Sequence, residues 1–226
     1  MSDDHFVREV DDEIRSDQLK SIWDRYGILL ISAAIAIVLG TAAFRGYEYW
    51  QDSRASKSGD AFLAALKLAG SGDNDAALKS LSELETTGYG SYPVLARMRA
   101  ATVEADKGEA AKAVSIFDAV AADTGVDAAV RDIARLRAAL ILVDSGSYDD
   151  VAKRVEVLST DGNALRHSAR EAMGLAAWKA GNASTAEGFF KQIADDKEAP
   201  GKLADRANVM LDVIKSSGSS TDKTGG

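Results

Sequence analysis

From Gly27 to Phe44 the chain carries no charged side chain, and within that run of Ile, Leu, Val and Ala only Ser32, Gly40 and Thr41 interrupt the large and small apolar residues. About 18 residues at roughly 1.5 Å each reach about 27 Å as a helix, close to the hydrocarbon thickness of a bilayer. Trp23 and Tyr26 stand before the run, and Tyr47, Tyr49 and Trp50 after it. Amphipathic rings belong at headgroup depth, so both ends have an interfacial belt. A helix buried in a soluble core would show a polar stripe, which this run lacks. A cleaved signal peptide would begin with a short basic stretch, whereas this run follows a segment holding Asp3, Asp4, Glu9, Asp11, Asp12 and Glu13. The expectation is a single transmembrane helix over 27–44, with membrane lipid as its surroundings.

Residues 1–26 then form a leading segment in which Phe6, Val10, Ile14, Leu19, Ile22 and Trp23 recur at helical spacing, an amphipathic helix entering the membrane. Flanking cations barely set the orientation, since Arg8, Arg15, Lys20 and Arg25 precede the run and Arg45, Arg54 and Lys57 follow it. The order of parts decides it instead. A small segment comes first and a large domain follows, the layout of an uncleaved anchor with a cytoplasmic N-terminus and its domain on the far side.

Residues 45–59 are largely polar and small, a juxtamembrane segment that either continues the helix or acts as a stalk. From 60 to 215 the chain reads as successive amphipathic helices. With only 2 Pro in 226 residues, little interrupts them, and the expected class is all-α. The net charge of −8 argues against nucleic acid, whose phosphates need a cationic patch. The absence of Cys excludes disulfides, thiol catalysis and Cys-ligated zinc.

Internal repetition organises this region. Gly72, Gly108, Gly146 and Gly181 recur 35 to 38 residues apart. Five residues after each comes Ala77, Ala113, Val151 or Ala186, and nine after each comes Leu81, Phe117, Val155 or Phe190. A small residue where two helices cross, with a large apolar one a turn later, suits a helix hairpin. The glycine gives the backbone freedom to reverse between them. These offsets resemble the tetratricopeptide repeat, most clearly in the unit with Gly174, Trp178, Gly181, Ala186 and Phe190. The proline that usually ends the second helix of that repeat is absent, and Val151 stands where the pattern has Ala. The resemblance implies a tetratricopeptide-like helical-hairpin solenoid over 60–215. Its last helix, near 203–215, places Leu203, Ala207, Leu211 and Ile214 on one side as an end cap. The small, polar residues 216–226 are expected to be a disordered tail.

The whole layout resembles the YfgM-type ancillary subunits of the bacterial Sec translocon. The residues carrying this are Trp23-Asp24-Arg25-Tyr26-Gly27, the apolar run, Gly46-Tyr47-Glu48-Tyr49-Trp50-Gln51, Tyr92-Pro93-Val94-Leu95-Ala96-Arg97 and the stretch from Gly174 to Phe190. The resemblance implies a bacterial inner-membrane protein with a periplasmic repeat domain. Its partners would be the Sec translocon and periplasmic chaperones of the prolyl-isomerase type. A scaffold of the envelope that does not touch the translocon is the alternative.

Nothing in the sequence points to catalysis, a cofactor or a metal. Gly70-Ser71-Gly72 lacks the Lys-Ser/Thr pair of a phosphate loop and stands between helices. His5 and His167 are too few for a common metal cluster, and His167 is expected on the surface or in a groove. The adjacent acids Asp149-Asp150 and Asp195-Asp196 diverge on a helix and suit caps or solvated faces. Function therefore falls to the surface. Stacked hairpins offer a concave face lined by the first helix of each pair. Arg97, Arg135 and Arg170 stand at matched positions before Gly108, Gly146 and Gly181, either as a ladder for an acidic or extended partner or as solubilising surface charge. Trp178 is expected to pack in the core.

Overall fold

The structure is a computed structural model. It describes the backbone of residues 3–221 and the side chains of 23–217. The described residues form nine α-helices and no strand: α1 (Asp3–Gly70), α2 (Asn74–Thr87), α3 (Tyr92–Asp106), α4 (Ala110–Ala122), α5 (Ala128–Ser145), α6 (Tyr148–Val155), α7 (Arg166–Lys179), α8 (Ala183–Ala194) and α9 (Gly201–Thr221). A 3-10 turn, Glu156–Leu158, follows α6. The fold is all-α, as expected. The chain divides into two units between Ser56 and Lys57.

In the first unit α1 is long and apolar enough to cross a membrane. Its apolar side chains face outward all round: Ile28 is 85% exposed, and Leu29, Ile37 and Val38 also lie open. The Thr41 hydroxyl donates to the Ile37 carbonyl at 2.7 Å, which keeps it from standing unsatisfied among apolar neighbours. At the far end Tyr47 and Trp50 lie with ring centroids 6.2 Å apart, and the Arg54 guanidinium sits 4.9 Å from the Trp50 ring centroid. Residues 45–59 continue α1 as helix. The acidic cluster and apolar residues of 1–22 lie outside the described side chains.

The second unit begins within α1 and stacks helix on helix. Each helix from α2 to α9 packs on the next, and α5 also packs on α7, and α7 on α9. The repeat positions explain the stacking. Ala77, Ala113, Val151 and Ala186 are completely buried, and Leu81, Phe117, Val155 and Phe190 are at most 1% exposed. The small residue lets two helices approach, and the large one fills the space this leaves a turn later. Gly174 shows the same constraint, because a Cβ there would lie 3.0 Å from the Phe190 ring. Truncating Phe117 or Phe190 to Ala would cost about 3–5 kcal/mol.

Three of the four repeat glycines act as the sequence suggests. Gly72, Gly108 and Gly181 have φ of 85°, 83° and 78°, a left-handed conformation that only glycine adopts readily. Behind each, paired backbone bonds close the helix: Asp73 N–H to the Leu68 carbonyl with Gly72 N–H to Ala69, and the same pair at Glu109–Glu104 and Asn182–Ala177. Gly146 departs from this. Its φ is −103° and its ψ −176°, so the reversal after α5 is extended rather than left-handed. Glycine is required there by crowding, since a Cβ would meet the Leu142 side chain at 3.0 Å. The carbonyls left open at the end of α5 are satisfied from α7 instead, where Lys179 Nζ bonds to the oxygens of Val143, Asp144 and Gly146. The next helix is started by a reciprocal cap: the Ser147 hydroxyl accepts from Asp150 N–H, and the Asp150 carboxylate accepts from Ser147 N–H.

At the C-terminal end Ala207, Leu211 and Ile214 bury against Ala186, Phe190 and Ile193, with Leu203 and Trp178 at the edge of the same cluster. Arg206 Nε and Nη2 donate to the Glu171 carboxylate at 2.6 and 2.9 Å and tie α9 to α7. The helix runs through Thr221, past the Lys215 boundary expected from its apolar pattern. Residues 222–226 lie outside the described residues.

Candidate partner-binding groove

The first helices of successive hairpins do not sit equally close. While α5 packs on α7 and α7 on α9, α3 reaches α5 chiefly through α4, which packs on both. The space this leaves between α3 and α5 is a groove made of two open cavities of about 490 and 310 Å³, both lined by Thr102, Ile133 and Arg137. The larger extends over Leu140, Ile141 and Leu165, and the smaller over Leu95, Met98 and Val130. Leu95, Ile133 and Leu140 are each about two-fifths exposed at 41%, 40% and 42%. A run of half-open aliphatic side chains along a concavity is the composition expected of a binding groove rather than of a solvated face.

Two cations stand in this apolar wall. Arg99, on α3, lines the smaller cavity, and Arg137, on α5, lines both. Arg137 Nη1 reaches the Thr102 hydroxyl only at 3.4 Å. Arg99 Nε is buried without a hydrogen-bond partner. The two occupy matching positions one repeat apart, because Leu95-x-x-x-Arg99-x-x-Thr102 in α3 aligns with Ile133-x-x-x-Arg137-x-x-Leu140 in α5. That register is written in the sequence, but it is masked by the more regular series Arg97, Arg135 and Arg170 two residues earlier.

Those earlier arginines stand at matched positions on α3, α5 and α7, and each already holds a carboxylate. Arg97 Nη2 bonds Asp123 at 2.8 Å, and Arg135 Nη1 bonds Asp132 at 2.7 Å. Arg170 pairs with Asp161 and also donates through Nε to the Ser159 carbonyl at 3.1 Å. The hydrogen bond from Arg97, together with the Gly125 N–H, holds Asp123 below the usual carboxylate range. None of the three lines the groove between α3 and α5.

His167 also differs from its expected surface or groove position. It is 5% exposed, with Nε2 2.8 Å from the Asp196 carboxylate. Asp196 further receives Arg166, which bonds Glu198 at 2.6 Å as well. The Glu198 N–H, His167 and Arg166 together pull Asp196 down to about 2. This cluster fastens the start of α7 to the loop before α9. Asp196 is therefore a fastening rather than a solvated acid, while Asp195 stays exposed at the C-cap of α8 and Asp150 serves as the cap expected of it. Among the described residues no group of three or more His, Cys, Asp or Glu is placed to hold a metal.

No curated protein and no solved structure matches this chain. The model of the tetratricopeptide repeat-like domain matches residues 20–213, which takes in the apolar run, all the hairpins and most of α9. By that match, which covers most of its length, the chain belongs to the tetratricopeptide repeat-like domain family.

Proposed function

We propose that this chain is a membrane-anchored protein-interaction module whose binding site is the groove between α3 and α5. The observation that carries the reading is that groove: an apolar concavity, open to solvent, in which Leu95, Ile133 and Leu140 of α3 and α5 lie together. The outward-facing apolar side chains of α1 support the anchor, since such a surface is costly in water and at home in lipid.

In its finer form the proposal is an ancillary subunit of the bacterial Sec translocon, linking export to periplasmic folding factors of the prolyl-isomerase type. It is single-pass in the inner membrane, with a cytoplasmic N-terminus and a periplasmic repeat domain. The Trp23–Gly27 lead-in, the apolar run and the Gly46–Gln51 exit support it. In this reading Arg97 and Arg170 serve binding indirectly, by tying α3 and α7 to neighbouring loops, while Arg135 pairs within α5.

The test places a photo-crosslinking residue at Tyr49, which is 78% exposed, in intact cells. The expected adduct is a translocon channel subunit, and protease added to cells stripped of their outer barrier should digest the repeat domain. Adducts confined to other envelope proteins would favour the scaffold that does not touch the translocon. Protection of the repeat domain would reverse the topology.

A further inference from the structure

The described arginines of the repeat domain fall into two groups. Arg97, Arg135, Arg154, Arg166, Arg170 and Arg206 each hold a carboxylate within salt-bridge distance. Arg99, Arg131 and Arg137 do not. Two of these three, Arg99 and Arg137, line the groove, and Arg131 belongs to the same α5. In a chain with 35 acidic residues and 27 Lys and Arg, acids to pair with them are not scarce. Leaving the Arg99 guanidinium half-buried against aliphatic walls without a counter-charge is unfavourable, and burying its Nε without an acceptor adds to the cost, while Arg137 stands more open beside it at the same groove. Surface solubility does not account for the placement, since Arg99 points its Nε away from solvent.

We infer that the groove's occupant is an apolar peptide segment carrying carboxylates, its aliphatic side chains lying over Leu95, Ile133 and Leu140 and its carboxylates received by Arg99 and Arg137. This rests on the groove reading above and specifies its ligand chemistry. Guanidinium fits a carboxylate in two-pronged fashion, and in a partly desolvated groove such a bond is stronger than in open water. Because the chain as a whole carries −8, an acidic partner is not drawn in by the general field. Its recognition is confined to these two cations.

The test uses three fluorescein-labelled peptides of twelve residues, identical in their Leu and Ala positions and carrying Glu, Gln or Lys at the remaining four. They are titrated against the full chain in nanodiscs by anisotropy. The expected order is Glu tightest, by about ten-fold over Gln, with Lys weakest, and the Glu preference should shrink as salt rises. In the double variant Arg99→Gln, Arg137→Gln the Glu and Gln peptides should bind alike, with helicity by circular dichroism unchanged. Arg206→Gln, away from the groove, should keep the preference. Leu140→Asp should weaken all three peptides.

Equal binding of the Glu and Gln peptides to the unaltered chain, with loss on Leu140→Asp, overturns the acidic occupant and leaves the groove standing. A preference for Lys does the same. Peptide binding that ignores Leu140→Asp, or no binding of any peptide, overturns the groove reading and this inference with it.

Discussion

Single side chains decide two features of this molecule that repetition alone would not. Lys179 ends a helix it does not belong to, by bonding carbonyls at the close of α5 where the glycine turn leaves them open. Lys179→Met should lower unfolding stability by about 1 kcal/mol, and Lys179→Arg should restore part of it, as measured by urea denaturation. Asp196 is the second case. Its folded pKa, at about 2, lies below the ordinary carboxylate value of 3.8, so it adds stability above that value and loses it as pH falls toward 2. Thermal melts between pH 5 and pH 2 should fall more steeply for the unaltered chain than for Asp196→Asn. At this scale the sequence was least legible. The pairs Arg97–Asp123 and His167–Asp196 join a helix residue to an acid in a loop about 26 to 29 residues away, and nothing in local spacing says which acid a given cation will face.

Elements were far more legible, for a physical reason. The offsets from each glycine to a small residue and then a large one are local, so the sequence carries them directly, and every one of those eight residues is buried. The apolar run is legible for the same reason. What local pattern misses is anything set by a neighbouring repeat: the extended turn at Gly146, made possible by Lys179, and the gap between α3 and α5, which depends on how two helices approach rather than on either alone. The last helix gives a prediction at this scale. Removing residues 201–226 should expose Ala186, Phe190 and Ile193 and cause aggregation, seen by light scattering. Truncation after Ser217 should leave the melting temperature nearly unchanged, because Ile214 is the last buried side chain of α9 among the described residues.

For the whole molecule, the proposed anchor and the proposed groove can be tested separately. Ile35→Arg should raise the cost of membrane insertion by about 2.5–3.5 kcal/mol, read as a fall in the fraction resisting alkaline extraction. The fragment from Lys57 onward should keep its helicity whatever happens to the anchor, since its clusters are built within that unit. Within the stack, uneven spacing has a thermodynamic consequence. From α5 onward the first helices pack on one another directly, while α3 reaches α5 chiefly through α4 and a small shared core of Ala101, Ala134 and Ala138. A peptide laid across α3 and α5, as proposed, adds a further connection between them, so occupancy works as a rivet. At a hundred-fold excess over Kd it should stabilise the array by about 2.7 kcal/mol. Amide hydrogen exchange should register that gain chiefly in α3 and α5 and hardly at all in α9, so the pattern of slowed amides would reveal the ligand's position on the stack without a structure of the complex.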